Sequence, residues 1–280
     1  MNKVKKVATI NDLSGVGRCS LTAAIPVLSV LGVQCCPYPT AVLSCHTGFD
    51  NYTFLDITNE MISYKEAWDN LNINFDCIYS GFLGSEEQID IVLNFVKGKE
   101  KALVVVDPVM GDNGAIYDTF TENMCSKMRY LVSIANIVTP NLTEACILTG
   151  DIYDKYNTSD EKIIEIAKKI SDMGPEKVII TGIIRENKIF NFAYDKKTSE
   201  FLKVESDFNN ESYSGTGDIF TSIIIGLLLN GHDLNYAIKN ATDFIFKAIE
   251  FTSKFKSDSR EGIMFEPCLK ELILINEYKQ

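Results

Sequence analysis

Five consecutive apolar residues, Ala102-Leu103-Val104-Val105-Val106, run without interruption into Asp107-Pro108. A half-exposed strand alternates polar and apolar side chains, so an unbroken run of this kind, closed by a proline turn, marks a strand covered on both faces. Two layers of helix are needed to cover it, which points to an α/β architecture around a mainly parallel sheet. The remaining sequence supplies the partners. Residues 4–10, 33–39, 75–79, 134–138 and 177–181 read as further strands, and residues 189–194 with 201–205 as an antiparallel hairpin at the sheet edge. Helical spacing or caps place helices over residues 21–31, 59–72, 141–149, 160–173, 219–229, 236–251 and 267–275, with one more beginning at Ser85. No repeat, linker or low-complexity tract divides the 280 residues, so a single domain over residues 1–280 is expected.

Composition narrows the partners. Asp and Glu number 38 against 27 Lys and Arg, a formal charge of -11, which argues against a nucleic-acid surface. Lys3, Lys5 and Lys6 read as a solvated terminus. No apolar signal core precedes the first strand, and no apolar stretch is long enough to span a bilayer, so a cytoplasmic protein without a membrane partner is expected. Eight cysteines are scattered without a Cys-x-x-Cys pair, and only His46 and His232 could join them. Packed, reduced thiols rather than a zinc site follow.

In parallel sheets, ligands bind beyond the carboxyl ends of the strands. Polar residues gather at those ends: Ser14, Thr47, Asp107, Asp112, Asn141, Glu144 and Thr181. After the first strand, Gly15-x-Gly17-x-x-Ser20 lacks the third glycine of a dinucleotide fingerprint, and the next strand does not end in an acid, so a small-ligand loop is the better reading. The segment from Ser44 to Phe49 is a polar loop able to cover a ligand, with His46 read as a loop or core histidine. Asp107-Pro108-Val109-Met110-Gly111-Asp112 separates two acids by a proline-led turn, which suits a metal–phosphate site as well as simple turn chemistry. Asn141 and Glu144 have capping-box spacing.

Ser214-Gly215-Thr216-Gly217-Asp218 opens an apolar helix. Glycines there let helix-terminal N–H groups approach an anion, whereas Asp218 would repel phosphate and is better suited to accepting a proton. Taken alone, the five residues are explained by ordinary capping. The company of the other strand-end residues at one edge of the sheet outweighs that explanation.

Asp107-Pro-Val-Met-Gly-Asp112, Thr139-Pro-Asn-x-x-Glu144 and Gly215-Thr-Gly-Asp218, in this order, resemble the pyridoxal kinase (vitamin B6 kinase) branch of the ribokinase-like superfamily, and Ser44-x-His46-Thr47-Gly48-Phe49 is similar to that branch's substrate loop. The resemblance implies a three-layer fold with a mainly parallel central sheet flanked by helices, and ATP-dependent phosphorylation of the 5'-hydroxymethyl group of a B6 vitamer. It casts Asp218 as catalytic base, and Gly215, Thr216 and Gly217 as anion hole. Ser14, Thr47 and Phe82 become substrate residues, with Ser14 and Thr47 on the polar edge of the pyridine ring. Asp112, Asn141 and Glu144 would hold Mg-ATP, with Asp112 and Glu144 on Mg2+, and Asp107, Thr139 and Thr181 would line a phosphate region with a monovalent cation, K+ or Na+. A homodimer is also implied. Phe82 stands where the branch often has tyrosine, and the loop from Asp12 to Arg18 differs from the usual one, leaving open the choice among pyridoxal, pyridoxine and pyridoxamine. A hydroxymethylpyrimidine kinase of the same fold and a non-catalytic B6 carrier are the competing readings.

Overall fold

The computed structural model describes residues 3–276. In chain order the first half comprises β1 (Lys6–Val16), α1 (Ser20–Val30), β2 (Gln34–Cys45), β3 (Phe54–Asp56), α2 (Thr58–Asn70), β4 (Cys77–Ser80), α3 (Glu86–Val96), β5 (Leu103–Val106), β6 (Gly111–Asp112), β7 (Ala115–Ile116) and α4 (Glu122–Ser133). There follow β8 (Ile137–Val138), α5 (Leu142–Thr149), α6 (Asp160–Met173), β9 (Lys177–Arg185), β10 (Lys188–Asp195), β11 (Glu200–Asp207), α7 (Thr216–Leu229), α8 (Leu234–Thr252) and α9 (Leu269–Ile275). Nine strands form one sheet in the order β11-β10-β9-β8-β5-β4-β1-β2-β3, and β6 with β7 makes a separate small hairpin. The six central strands from β9 to β2 pair parallel, while β10, β11 and β3 add antiparallel edges.

Strand side chains point to alternate faces, and both faces are dry. Val104 and Val106 join a core built with α2 through α6, whereas Val105 between them joins a second core built with α1, α7, α8 and α9. The unbroken apolar run of β5 is therefore the signature of a three-layer α/β molecule. Within the second core α7 lies close on the end of α1: a Cβ at Gly226 would stand 2.4 Å from Leu31 Cδ1 and 3.0 Å from its Cβ.

Helix ends follow local chemistry. Ser85, Thr121, Ser159 and Asp233 each accept an N–H of the first turn that follows them. Several strands differ from the sequence reading. β1 does not stop at residue 10. Its register breaks between Asn11 and Leu13, and it pairs again with β2 as far as Val16↔Cys45. β8 has two residues rather than five, because α4 extends to Ser133 and Ile134 caps it. β9 continues to Arg185 because β10 folds back onto it. The short β3, β6 and β7 have too few residues to carry a period. All eight cysteines are free thiols, and among the described residues no helix is long and apolar enough to cross a membrane.

Candidate active site

The carboxyl ends of β1, β4, β5, β8 and β9 open into a cleft of about 780 Å³, closed on the other side by the start of α7 and by the loop after β2. Asp218 occupies the first turn of α7, where Gly215 caps the helix with φ +77. A Cβ at Gly215 would lie 2.0 Å from Arg18 O, so only glycine brings this helix start against the loop preceding α1. Thr216, Gly217 and Asp218 thus present first-turn N–H groups and the positive end of a fourteen-residue helix to the cleft.

Asp218 is held from outside its own helix. Asn11 Nδ2 donates to its Oδ1 at 2.9 Å, and the backbone N–H of Ser20, first residue of α1, donates to its Oδ2 at 2.8 Å. The Tyr79 hydroxyl lies 3.4 Å from Oδ1. Cys19 gives α1 no side-chain cap, and the Asp218 carboxylate serves that helix end instead. Burial pushes Asp218 up to about 6, with the charge of Asp12 adding to the effect and the Ser20 and Asn11 donors opposing it. The fold therefore disfavours its charge by about 3 kcal/mol relative to water. Burial, then the charges of Asp218 and Asp107, hold the Tyr79 phenol well above its usual range, so it stays a neutral donor.

Asp107 ends β5 beside this group, with its Oδ2 3.6 Å from where a Cβ on Gly217 would be. Burial first, and the charge of Asp218 second, push it well above the usual carboxylate range, while the Thr139 hydroxyl bonded to it works the other way. Thr139 in turn accepts from Thr221 of α7 at 3.0 Å. Thr181 lies within β9 rather than at its end, since that strand runs on to Arg185, and it is bridged to Asn141.

Glu144 and Asn141 form a complete capping box at the start of α5. Glu144 Oε2 accepts from Asn141 N at 2.8 Å, and its Oε1 accepts from Met110 N at 3.2 Å. The Asn141 amide also donates to Gly111 O at 2.9 Å, tying the β5–β6 loop to α5. Glu144 is raised well above the usual range by burial and by the charge of Asp107. Asp112 is exposed, and both its oxygens accept from Asn113.

Thr47 and Phe82 line the cleft, and the Phe82 N–H shares the Asn11 side chain with Asp218. Ser14 does not reach the cleft. Its side chain is fully buried and its hydroxyl donates to Asp12 Oδ2 at 2.7 Å, so the expected contact with a ring edge is corrected: the residue of this loop that lines the cleft is Asp12. Ser20 Oγ donates to the other Asp12 oxygen at 2.5 Å. His46 lines the cleft with both ring nitrogens engaged: its Nε2 contacts Arg260 O at 2.5 Å and its Nδ1 accepts from Gly48 N at 3.1 Å. Asn11, Asp12 and Tyr79 were missed. The polar pair Asn11-Asp12 at the end of the first strand was a usable signal, whereas Tyr79 looked like any apolar strand residue.

Charge separates the cleft into two kinds of surface. Asp12, Asp107, Asp112, Asp118, Glu144, Asp207, Glu211 and Asp218 line it against a single lysine, Lys155. Beyond Thr181 the wall turns apolar with Ile183, Ile184, Ile189, Phe208, Ile245, Phe246 and Ile249. Such a slot suits a flat aromatic ring, and the acidic part suits phosphates only with a cation between.

A sequence model of a family described as phosphomethylpyrimidine kinase matches residues 17–263. The chain belongs to this family. Within it, the relatives place the chain in the pyridoxal kinase branch of the ribokinase-like superfamily. It is 32% identical over 203 residues to the pyridoxine kinase of Bacillus subtilis, covering 71% of this chain and 73% of the relative. A crystal structure with pyridoxal, of a Bacteroides thetaiotaomicron protein named as a candidate phosphomethylpyrimidine kinase, is 44% identical with a TM-score of 0.93 and covers 96% of each chain. The pyridoxal kinase of Lactobacillus plantarum superposes with a TM-score of 0.89 at 27% identity, over 99% of this chain and 100% of that one. The expected three-layer fold is thereby established for this phosphomethylpyrimidine kinase family member.

Proposed function

We propose that this protein is an ATP-dependent kinase whose single domain, residues 1–280, transfers a phosphoryl group to the 5'-hydroxymethyl group of pyridoxal, pyridoxine or pyridoxamine. The observation that carries the reading is Asp218: a carboxylate fixed by donors from β1 and α1, raised to about 6, beside a glycine-bracketed helix N-terminus. Near neutral pH it is deprotonated yet basic enough to take a proton from an alcohol. The N–H groups at Gly215, Thr216 and Gly217 receive the anionic phosphoryl group, since transfer depends on fixed donors more than on covalent chemistry. Thr47 and Phe82 orient the vitamer ring, and the apolar slot beyond Thr181 takes the adenine.

Mg2+ fits the acidic wall. Among the described residues no three His, Cys, Asp or Glu side chains converge on a closed cage, and Mg2+ characteristically takes one or two carboxylates and completes its shell with phosphates and water. Asp112 is the exposed carboxylate able to bind directly; Glu144, with an N–H on each oxygen, would act through water. When bound, the ion neutralises the nucleotide phosphates. The Asp107 and Thr139 side chains are engaged with each other, and no step is assigned to K+ or Na+. The reading also includes a cytoplasmic homodimer.

The family's description favours one second reading, a kinase of hydroxymethylpyrimidine, whose primary alcohol on a flat heterocycle would use the same base. Coupled ATP-consumption assays with the three vitamers and with hydroxymethylpyrimidine decide. Turnover with a vitamer is expected. Turnover with hydroxymethylpyrimidine alone would replace the reading, and vitamer binding without ATP consumption would make the protein a carrier.

A further inference from the structure

Asn11 has a side chain with no exposure and every polar atom engaged. Its Oδ1 accepts from Phe82 N at 2.9 Å and from Asp12 N at 3.1 Å, and its Nδ2 donates to Asp218 Oδ1 at 2.9 Å. These partners allow one orientation only: two backbone N–H donors require the oxygen, and the carboxylate requires the nitrogen. The seat is closed on the remaining side, since a Cβ at Gly81 would lie 2.4 Å from Asn11 Nδ2. One amide therefore joins the broken register of β1, the end of β4 and the first turn of α7.

We infer that Asn11 is a positioning residue for phosphoryl transfer, fixing the plane of the Asp218 carboxylate against the substrate wall at Phe82. The inference rests on the reading of Asp218 as the base. With Oδ1 held by Asn11 and Oδ2 by Ser20 N–H, the carboxylate cannot rotate, and its remaining lone pairs have a fixed direction. A bidentate pair of donors also favours the ionised form. Facing Asp218 are the carboxylates of Asp12 at the end of β1 and Asp107 at the end of β5, the Tyr79 phenol of β4, and the Cys19 thiol before α1. None of these is a cation, so hydrogen-bond donors alone oppose burial there: Ser20 N–H first, then the Asn11 amide, then the more distant Tyr79 hydroxyl.

The test compares Asn11→Leu, which keeps the branching at Cγ but is larger and lacks the donor, with Asn11→Asp, which keeps the size and sets a second carboxylate against the first. In both, kcat should fall roughly 10- to 100-fold with the KM for ATP little changed. The acid limb of kcat/KM should move up by about one pH unit in Asn11→Leu and further in Asn11→Asp. A merely structural asparagine would lower the melting temperature and leave that limb in place. Should Asn11→Leu not fold, Asn11→Asp carries the same readout, with far-UV circular dichroism and ATP affinity as checks. An unmoved limb, with Asp218→Asn inactive, overturns the inference alone. Normal turnover in Asp218→Asn overturns the reading beneath it.

Discussion

Asp218 and Glu144 are carboxylates drawn out of water at the same edge of one sheet, and they are held in opposite ways. Glu144 is answered by near neighbours: the N–H of Asn141, three residues earlier in its own capping box, and that of Met110 in the loop it anchors. Asp218 receives nothing from its own helix. Its donors stand 207 and 198 residues away, on β1 and α1. A locally satisfied acid holds a loop in place. An acid assembled from distant parts of the chain keeps a defined direction and an elevated basicity, which is what proton transfer from an alcohol requires.

The comparison can be broken at either end. The largest effect is expected from Asp218→Asn: turnover should drop about 10²- to 10⁴-fold while ATP binding, followed by calorimetry, is spared. Equal loss of both would make Asp218 structural, like Glu144. Next comes pH. Burial raises Asp218 to about 6, so protons compete for the base below that value, and kcat/KM should fall about tenfold for each pH unit below it while staying level just above. A profile still flat at pH 5 would remove the base.

Glu144→Gln should affect both stability and nucleotide. Its amide can accept only one of the two N–H donors, leaving the other against an NH2 group, at a cost of about 1–3 kcal/mol in chemical denaturation. A higher Mg2+ requirement should accompany it, and an unchanged magnesium titration would leave Glu144 as a loop anchor only. The smallest effect is predicted for Thr47→Val, about two- to tenfold in the KM for the vitamer with ATP unaffected. Damage to both ligands there would mean that the loop itself had loosened.

Much of this was legible in the sequence because local rules decided it. The Asn141–Glu144 box, the helix over Asp160–Met173 and the buried run of β5 each follow from a few consecutive residues. Asp107 and Asp112 could be located because the end of β5 and the proline-led turn after it place them, whereas Thr181, read as a strand end, lies inside β9. What escaped was nonlocal. Ser14 looked like a ligand residue, but the register break after Asn11 turns it into the protein and brings Asp12 to the cleft. Tyr79 sits in an apolar strand, and only the approach of α7 gives its hydroxyl a partner. No spacing within β4 encodes that.

The contact of Gly226 with Leu31 extends the site's dependence beyond its visible boundary. Asp218 begins α7 and Ser20 begins α1, so the separation of base and donor at one end is governed by how closely the same two helices lie further along, where Gly226 meets Leu31. The pair works as two arms of a caliper. A single methyl group at the far end would spread the jaws, so the volume allowed at this core position bears on catalysis as well as on packing.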